Sequence, residues 1–162
     1  MLGIDLDLVH TDSGDYDLVL ADNGDLASSL ALDTPIIVSL FSDRRADKDF
    51  IPVPEKRRGW IGDEVSPGFQ LGSLLWTFEQ SRLTQSTLNS LADAARDSLD
   101  WMLRDSSPGT GTTIADQVLT SAVISDIGSV KLEITLIRPE SRTEKRFFDA
   151  WENTGKLLKG AK

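Results

Sequence analysis

With 162 residues, 40% of them apolar, the chain has the size and composition of one globular domain with a modest core, and no apolar run approaches a membrane span. A net charge of −9 is the wrong overall sign for a nucleic-acid-binding surface, and the lack of cysteine removes disulfides, thiolate zinc sites and cysteine nucleophiles together. The Met1-Leu2-Gly3-Ile4-Asp5 start has neither a basic nor an apolar signal region, so no secretory signal is expected, and the single histidine, His10, leaves no multi-histidine metal site.

Residues 2–9 alternate, with Leu2, Ile4, Leu6 and Leu8 on one side and Gly3, Asp5 and Asp7 on the other, which predicts a half-buried strand. Turn chemistry over Thr11–Asp15 leads to a second strand at Tyr16–Leu20. Asp22-Asn23-Gly24-Asp25 then predicts a tight hairpin turn, with a short third strand over Asp25–Ser29. The β-branched run from Asp33 to Phe41 admits a strand, but a helix is preferred. Asp33 or Thr34 can cap it, Pro35 is tolerated in a first turn, and Ile36, Ile37, Leu40 and Phe41 share a face.

Residues 43–70 read as a long irregular loop, with Pro52, Pro54, Gly59, Gly62, Pro67, Gly68 and the basic run Lys56-Arg57-Arg58. Loops this long inside a compact domain usually serve binding. The apolar anchors Phe50, Ile51, Trp60, Ile61 and Phe69 need either the domain or a partner to pack against. A helix is predicted over 71–82 from Leu71, Leu74, Leu75 and Phe78. A stronger one is predicted over 84–104 from the stripe Leu88, Leu91, Ala92, Ala95, Leu99, Met102 and Leu103, ended by Ser107-Pro108-Gly109. Period two then takes over. Val118–Ser125 and Val130–Leu136 predict a long hairpin about Asp126–Ser129, with a short strand near Lys145–Phe148 at its edge. Strands, helices, then strands imply α+β: a single compact domain over residues 1–152, its antiparallel sheet built from N- and C-terminal hairpins against two or three central helices. Residues 153–162 are expected to be a basic flexible tail.

The charge is uneven. Residues 1–26 hold Asp5, Asp7, Asp12, Asp15, Asp17, Asp22 and Asp25 with no Lys or Arg, whereas the chain from Arg138 onward is basic. This describes either two solvated edges or a means of orienting copies and partners during assembly. The acidic turns do not meet the spacing of a calcium-binding EF-hand, and Gly109-Thr110-Gly111-Thr112 lacks the lysine of a phosphate loop. Asp63, Glu64 and Glu79 are carboxylates of the type glycosidases use, yet among 26 acidic residues such groupings arise by chance. No G-x-S-x-G elbow accompanies His10. Trp76 and Trp101 are placed in or beside the core. Trp60 and Trp151, in a loop and a tail region, are the better interface anchors, although core packing is the default for any tryptophan.

Four segments follow one another along the chain: Leu40-Phe41-Ser42-Asp43-Arg44-Arg45-Ala46, Arg57-Arg58-Gly59-Trp60-Ile61-Gly62-Asp63, Gly72-Ser73-Leu74-Leu75-Trp76, and Ala94 through Met102. Their succession resembles the small baseplate protein family of Mu-like phages, itself similar to the lysozyme-like wedge proteins of other contractile tails. The likeness spans roughly residues 15–151. It implies a structural subunit of the tail baseplate, a wedge component and sheath initiator without catalytic activity, cofactor or metal. The partners it implies are other wedge proteins, the tail sheath and the hub or tube proteins, with many copies in a ring and no nucleic acid or membrane. The implied location is the virion tail baseplate, reached from the host cytoplasm during assembly. The candidate interface residues are Arg44, Arg45, Arg57, Arg58, Trp60, Asp63 and Trp151. The Glu-Pro-Arg motif of the wider superfamily is missing. Arg138-Pro139-Glu140 has a different order, so contacts assigned to that motif do not carry over. The alternatives are a peptidoglycan hydrolase and a stand-alone adaptor for cellular proteins.

Overall fold

Three long antiparallel strands at the C-terminal end organise the molecule: β5 (Gln117–Asp126), β6 (Ser129–Ile137) and β7 (Thr143–Trp151). The computed structural model describes residues 5–6, 8–10, 16–29, 32–65, 70–79, 81–103, 114–126, 129–138, 142–151 and 160–161. Ahead of the sheet come β1 (Asp5–Leu6), β2 (Leu8–His10), β3 (Tyr16–Leu18), β4 (Ser28–Ser29), α1 (Asp33–Phe41) and α2 (Gln85–Leu99), and after it β8 (Gly160–Ala161). The fold is α+β, as the order of patterns implies.

β6 lies between its neighbours and carries the alternation most cleanly. Val130, Leu132, Ile134 and Leu136 are buried, while Lys131, Glu133 and Thr135 face the other way. The inner residues meet Val118 of β5, Phe148 of β7 and the buried side of α2, formed by Leu88, Leu91, Ala94, Ala95 and Leu99. Burying one such aliphatic side chain contributes about 1.5–3 kcal/mol. α2 begins where Thr84 accepts the Thr87 amide at 3.2 Å, a side-chain cap on an otherwise unsatisfied donor. It is pinned to the sheet by the Thr120 hydroxyl, which donates to the Ala92 carbonyl at 2.7 Å. Beyond Leu99 the chain tightens into a 3₁₀ turn, Asp100–Met102. α1 adds Ile36, Ile37, Leu40 and Phe41 to the core, with Phe41 edge-on to Phe148 at 6.1 Å. Trp101 donates from its indole to the Ser39 hydroxyl at 3.0 Å, which ties the two helices together.

Several expectations need correction. The predicted helix over 71–82 is only a 3₁₀ turn, Leu75–Phe78. Gly72 has a left-handed backbone (φ 95°) and Ser73 bridges to Asp43 in parallel, so the helical turn starts only after Leu74. Neither Asp33 nor Thr34 caps α1. The cap position is Leu32, the Thr34 hydroxyl donates to Leu6, and Asp33 pairs with Arg146. In the Asp22–Asp25 hairpin the Gly24 amide closes the turn on Ala21 at 2.9 Å. Asp22 and Asn23 are therefore the central residues, and Gly24 takes the left-handed position after them (φ 80°). The N-terminal strands form two small ladders of their own, β1 with β4 and β2 with β3. β7 is longer than the predicted Lys145–Phe148, because Thr143 through Trp151 pair along β6.

Arg138, at the end of β6, is buried and pairs with Glu144 of β7 at 3.1 Å. Of the predicted tail, only Gly160 and Ala161 are described, and they pair with Asp149 and Phe148. Leu2, Ile4, Asp12, Asp15, Phe69 and the Ser107-Pro108-Gly109 stop lie outside the described residues.

Candidate docking loop and sheet edge

The loop that follows α1 is held by a splice to residues 70–79. The Arg44 amide donates to the Ser73 carbonyl and the Ser73 amide to the Ser42 carbonyl, both at 2.9 Å. Ser73 itself is buried. Its hydroxyl donates to the Leu40 carbonyl at 2.5 Å and accepts the Leu75 amide at 3.1 Å. Gly72 is required here, since a Cβ would come within 2.2 Å of the Ser42 carbonyl oxygen. The Trp76 indole donates to the Arg44 carbonyl at 3.0 Å and locks the splice to the core.

Arg58 closes the far end of the loop. Its guanidinium donates to Asp43 at 3.0 Å and to both oxygens of Glu79 at 3.0 and 3.2 Å, and lies 4.6 Å from the centre of the Trp76 ring. The Glu79 carboxylate, with Asp43 beside it, holds this guanidinium above its ordinary pKa despite the opposing effect of partial burial. The Arg58 backbone is left-handed (φ 49°), unusual for a residue with a side chain, and Gly59 continues the bend at φ 111°. Arg57 turns back on its own loop, donating to the Ile51 carbonyl at 2.7 Å and the Pro52 carbonyl at 2.9 Å. Arg45 donates to the Arg58 carbonyl at 3.2 Å.

The structure thus brings Arg44, Arg45, Arg57, Arg58, Trp60 and Asp63 into one loop and gives them unequal jobs. The arginines expected to greet a partner largely hold the loop together. Asp63 does the same, accepting the Leu71 amide at 3.1 Å through one oxygen, while its other oxygen is buried without a hydrogen-bond partner. Trp60 is exposed and lies over Gly62, where a Cβ would come within 2.0 Å of its ring. Trp151 belongs elsewhere, at the end of β7 opposite Val130, and its side chain lies outside the described residues.

Beside the exposed charges of Asp47, Lys48, Asp49, Glu55 and Lys56, the loop presents large apolar side chains outward. Phe50, Val53 and Trp60 are exposed, and Ile61 and Val65 are 82% and 81% exposed. Val53 and Val65 were not among the sequence candidates, and no local pattern marks them. Glu79, a carboxylate weighed for glycosidase chemistry, is engaged by Arg58. A glycosidase acid must instead hold a proton for its leaving group. Among the described residues, no group of three or more His, Asp or Glu side chains is placed to hold a metal ion, and no helix is long and apolar enough to cross a membrane.

A second surface is the outer margin of the sheet. β5 stands at one end of the strand order β5-β6-β7-β8. From Gln117 to Ser125 it carries no charged residue and no proline, the usual guards of an exposed strand edge.

The phage family described as Phage protein GP46 matches residues 32–143, from the start of α1 to the start of β7. The chain belongs to this family. It is similar to the Mu-like prophage FluMu protein gp46 of Haemophilus influenzae, 33% identical over 120 residues, which cover 74% of the chain and 78% of that protein. It is also similar to the baseplate protein gp46 of Escherichia phage Mu, 38% identical over 74 residues, 44% of the chain and 50% of that protein. No solved structure matches. The GP46 match takes in the splice, the loop after α1, α2, β5 and β6, and leaves the N-terminal ladders outside.

Proposed function

We propose that this chain is a structural subunit of a phage tail baseplate, working through protein–protein contacts and not through catalysis. The observation that carries the reading is the similarity to the phage Mu protein named as a baseplate protein, within a family match that includes the docking loop. The loop suits the role physically. Its exposed apolar side chains sit on a frame already fixed by the Ser73 splice and the Arg58 clasp, so little ordering entropy is lost on docking. Within the baseplate the chain takes a wedge position, in several copies around the ring, with other wedge subunits, the sheath and the hub or tube as neighbours. Sheath initiation would use the β5 edge, where an incoming strand gains backbone hydrogen bonds and its side chains set the register. The chain reaches the virion tail from the host cytoplasm during assembly.

The test is co-purification of the tagged chain with the other tail proteins of the same genome. Wild type should retain wedge proteins, and a chain lacking Phe50–Ile61 should lose them. Retention by the deleted chain removes the loop from the interface. Loss of turbidity in a cell-wall suspension would favour a hydrolase instead.

A further inference from the structure

β5 is the one long strand whose regular stretch carries no charge. β6 holds Lys131 and Glu133, and β7 holds Glu144, Lys145, Arg146 and Asp149. Its pairing with β6 is regular from Gln117 to Ile124 and shifts beyond that point, so the strand presents a straight edge of that length. The parallel bridge of Leu103 to Ala115 ends before this edge begins. Among the described residues, no strand pairs with β5 on the side away from β6.

The stretch is also symmetric in chemistry about Ser121. Going outward, Thr120 matches Ala122, Leu119 matches Val123, and Val118 matches Ile124. An antiparallel copy laid along the edge with Ser121 at the two-fold axis therefore opposes small with small and branched apolar with branched apolar. Leu119 and Val123, 47% and 48% exposed on the outer face, would each cover the other from the second copy. A one-residue slip would keep a two-fold axis but set inner-face positions of one copy against outer-face positions of the other.

We propose that the isolated chain pairs with a second copy of itself through β5, antiparallel and centred on Ser121, joining the two sheets into one. The pairing covers the edge until a strand of another protein displaces it. It does not depend on the baseplate reading, which co-purification tests separately.

The chain has no cysteine, so a single introduced thiol reports the register directly. Directly opposed residues in an antiparallel pair have Cα atoms about 4.5–5.5 Å apart, within disulfide range. In the proposed register residue 123 lies four residues from its own copy, about 13 Å away and out of reach. Under mild oxidation Ser121→Cys should give disulfide-linked dimer at least about tenfold faster than Val123→Cys, given that difference in reach. Wild type should sediment as a dimer at the same concentration, and Ser121→Glu, which sets two carboxylates against each other across the axis, should sediment as a monomer. Equal cross-linking at both positions, cross-linking at neither, or a monomeric wild type would overturn the proposal. Higher oligomers with no preference for residue 121 would overturn it too.

Discussion

The C-terminal sheet with α2 and the loop between α1 and α2 are held by opposite means. In the sheet, stability comes from repetition: Val130, Leu132, Ile134 and Leu136 each do the same job one pleat apart. In the loop it comes from singular contacts, such as the Ser73 hydroxyl on Leu40, Gly72 against Ser42, and Arg58 between Asp43 and Glu79. The first arrangement buries apolar area and is cooperative with the whole fold. The second orders exposed chain at small cost to the fold if it fails. Rigidity for binding can therefore be tuned apart from global stability.

Substitutions should separate the two regions in order of size. Leu132→Ala empties a fully buried site and should lower unfolding free energy by about 2–5 kcal/mol in urea denaturation. A loss below about 1 kcal/mol would mean that the sheet layer is not the energetic centre. Gly72→Ala must strain a left-handed backbone and push against the Ser42 carbonyl, so about 1–3 kcal/mol should be lost, with faster proteolysis within 43–65. Arg58→Ala removes ion pairs and a ring contact on a half-exposed side chain, where solvent screens the charges. A loss of about 1 kcal/mol, weakening further as a difference at high salt, is expected. Ile61→Ser touches the most exposed of the apolar loop residues and should change stability by less than about 0.5 kcal/mol while reducing capture of tail proteins in the co-purification. Were Ile61→Ser as damaging to folding as Leu132→Ala, the distinction between the regions would fail.

The same contrast explains what could be read in advance. A period of two or of 3.6 is a local property of sequence, so the β5–β6 hairpin, α2 and the buried face of α1 were visible before any contact was known. The splice was not. Leu71, Leu74, Leu75 and Phe78 imitate helical spacing, but Gly72 and Ser73 are committed to Ser42 and Leu40, some thirty positions earlier, and no window along the chain contains both partners. Arg57 and Arg58 stand among the interface candidates, and the clasp that Arg58 makes is hidden for a like reason. The acceptors of Arg58, Asp43 and Glu79, lie far along the chain, whereas Arg57 finds the Ile51 and Pro52 carbonyls within its own loop. Trp60 and Ile61 were legible as candidates because large apolar residues in a proline- and glycine-rich loop lack a local place to pack. The open edge of β5 became visible only with the strand order.

Antibody labelling of purified tails from the genome that encodes this chain tests most directly whether it is a baseplate part. Label confined to the baseplate end, in a constant number of copies per tail, is the result predicted. Tails that assemble and contract normally while carrying no copy of the chain would contradict it.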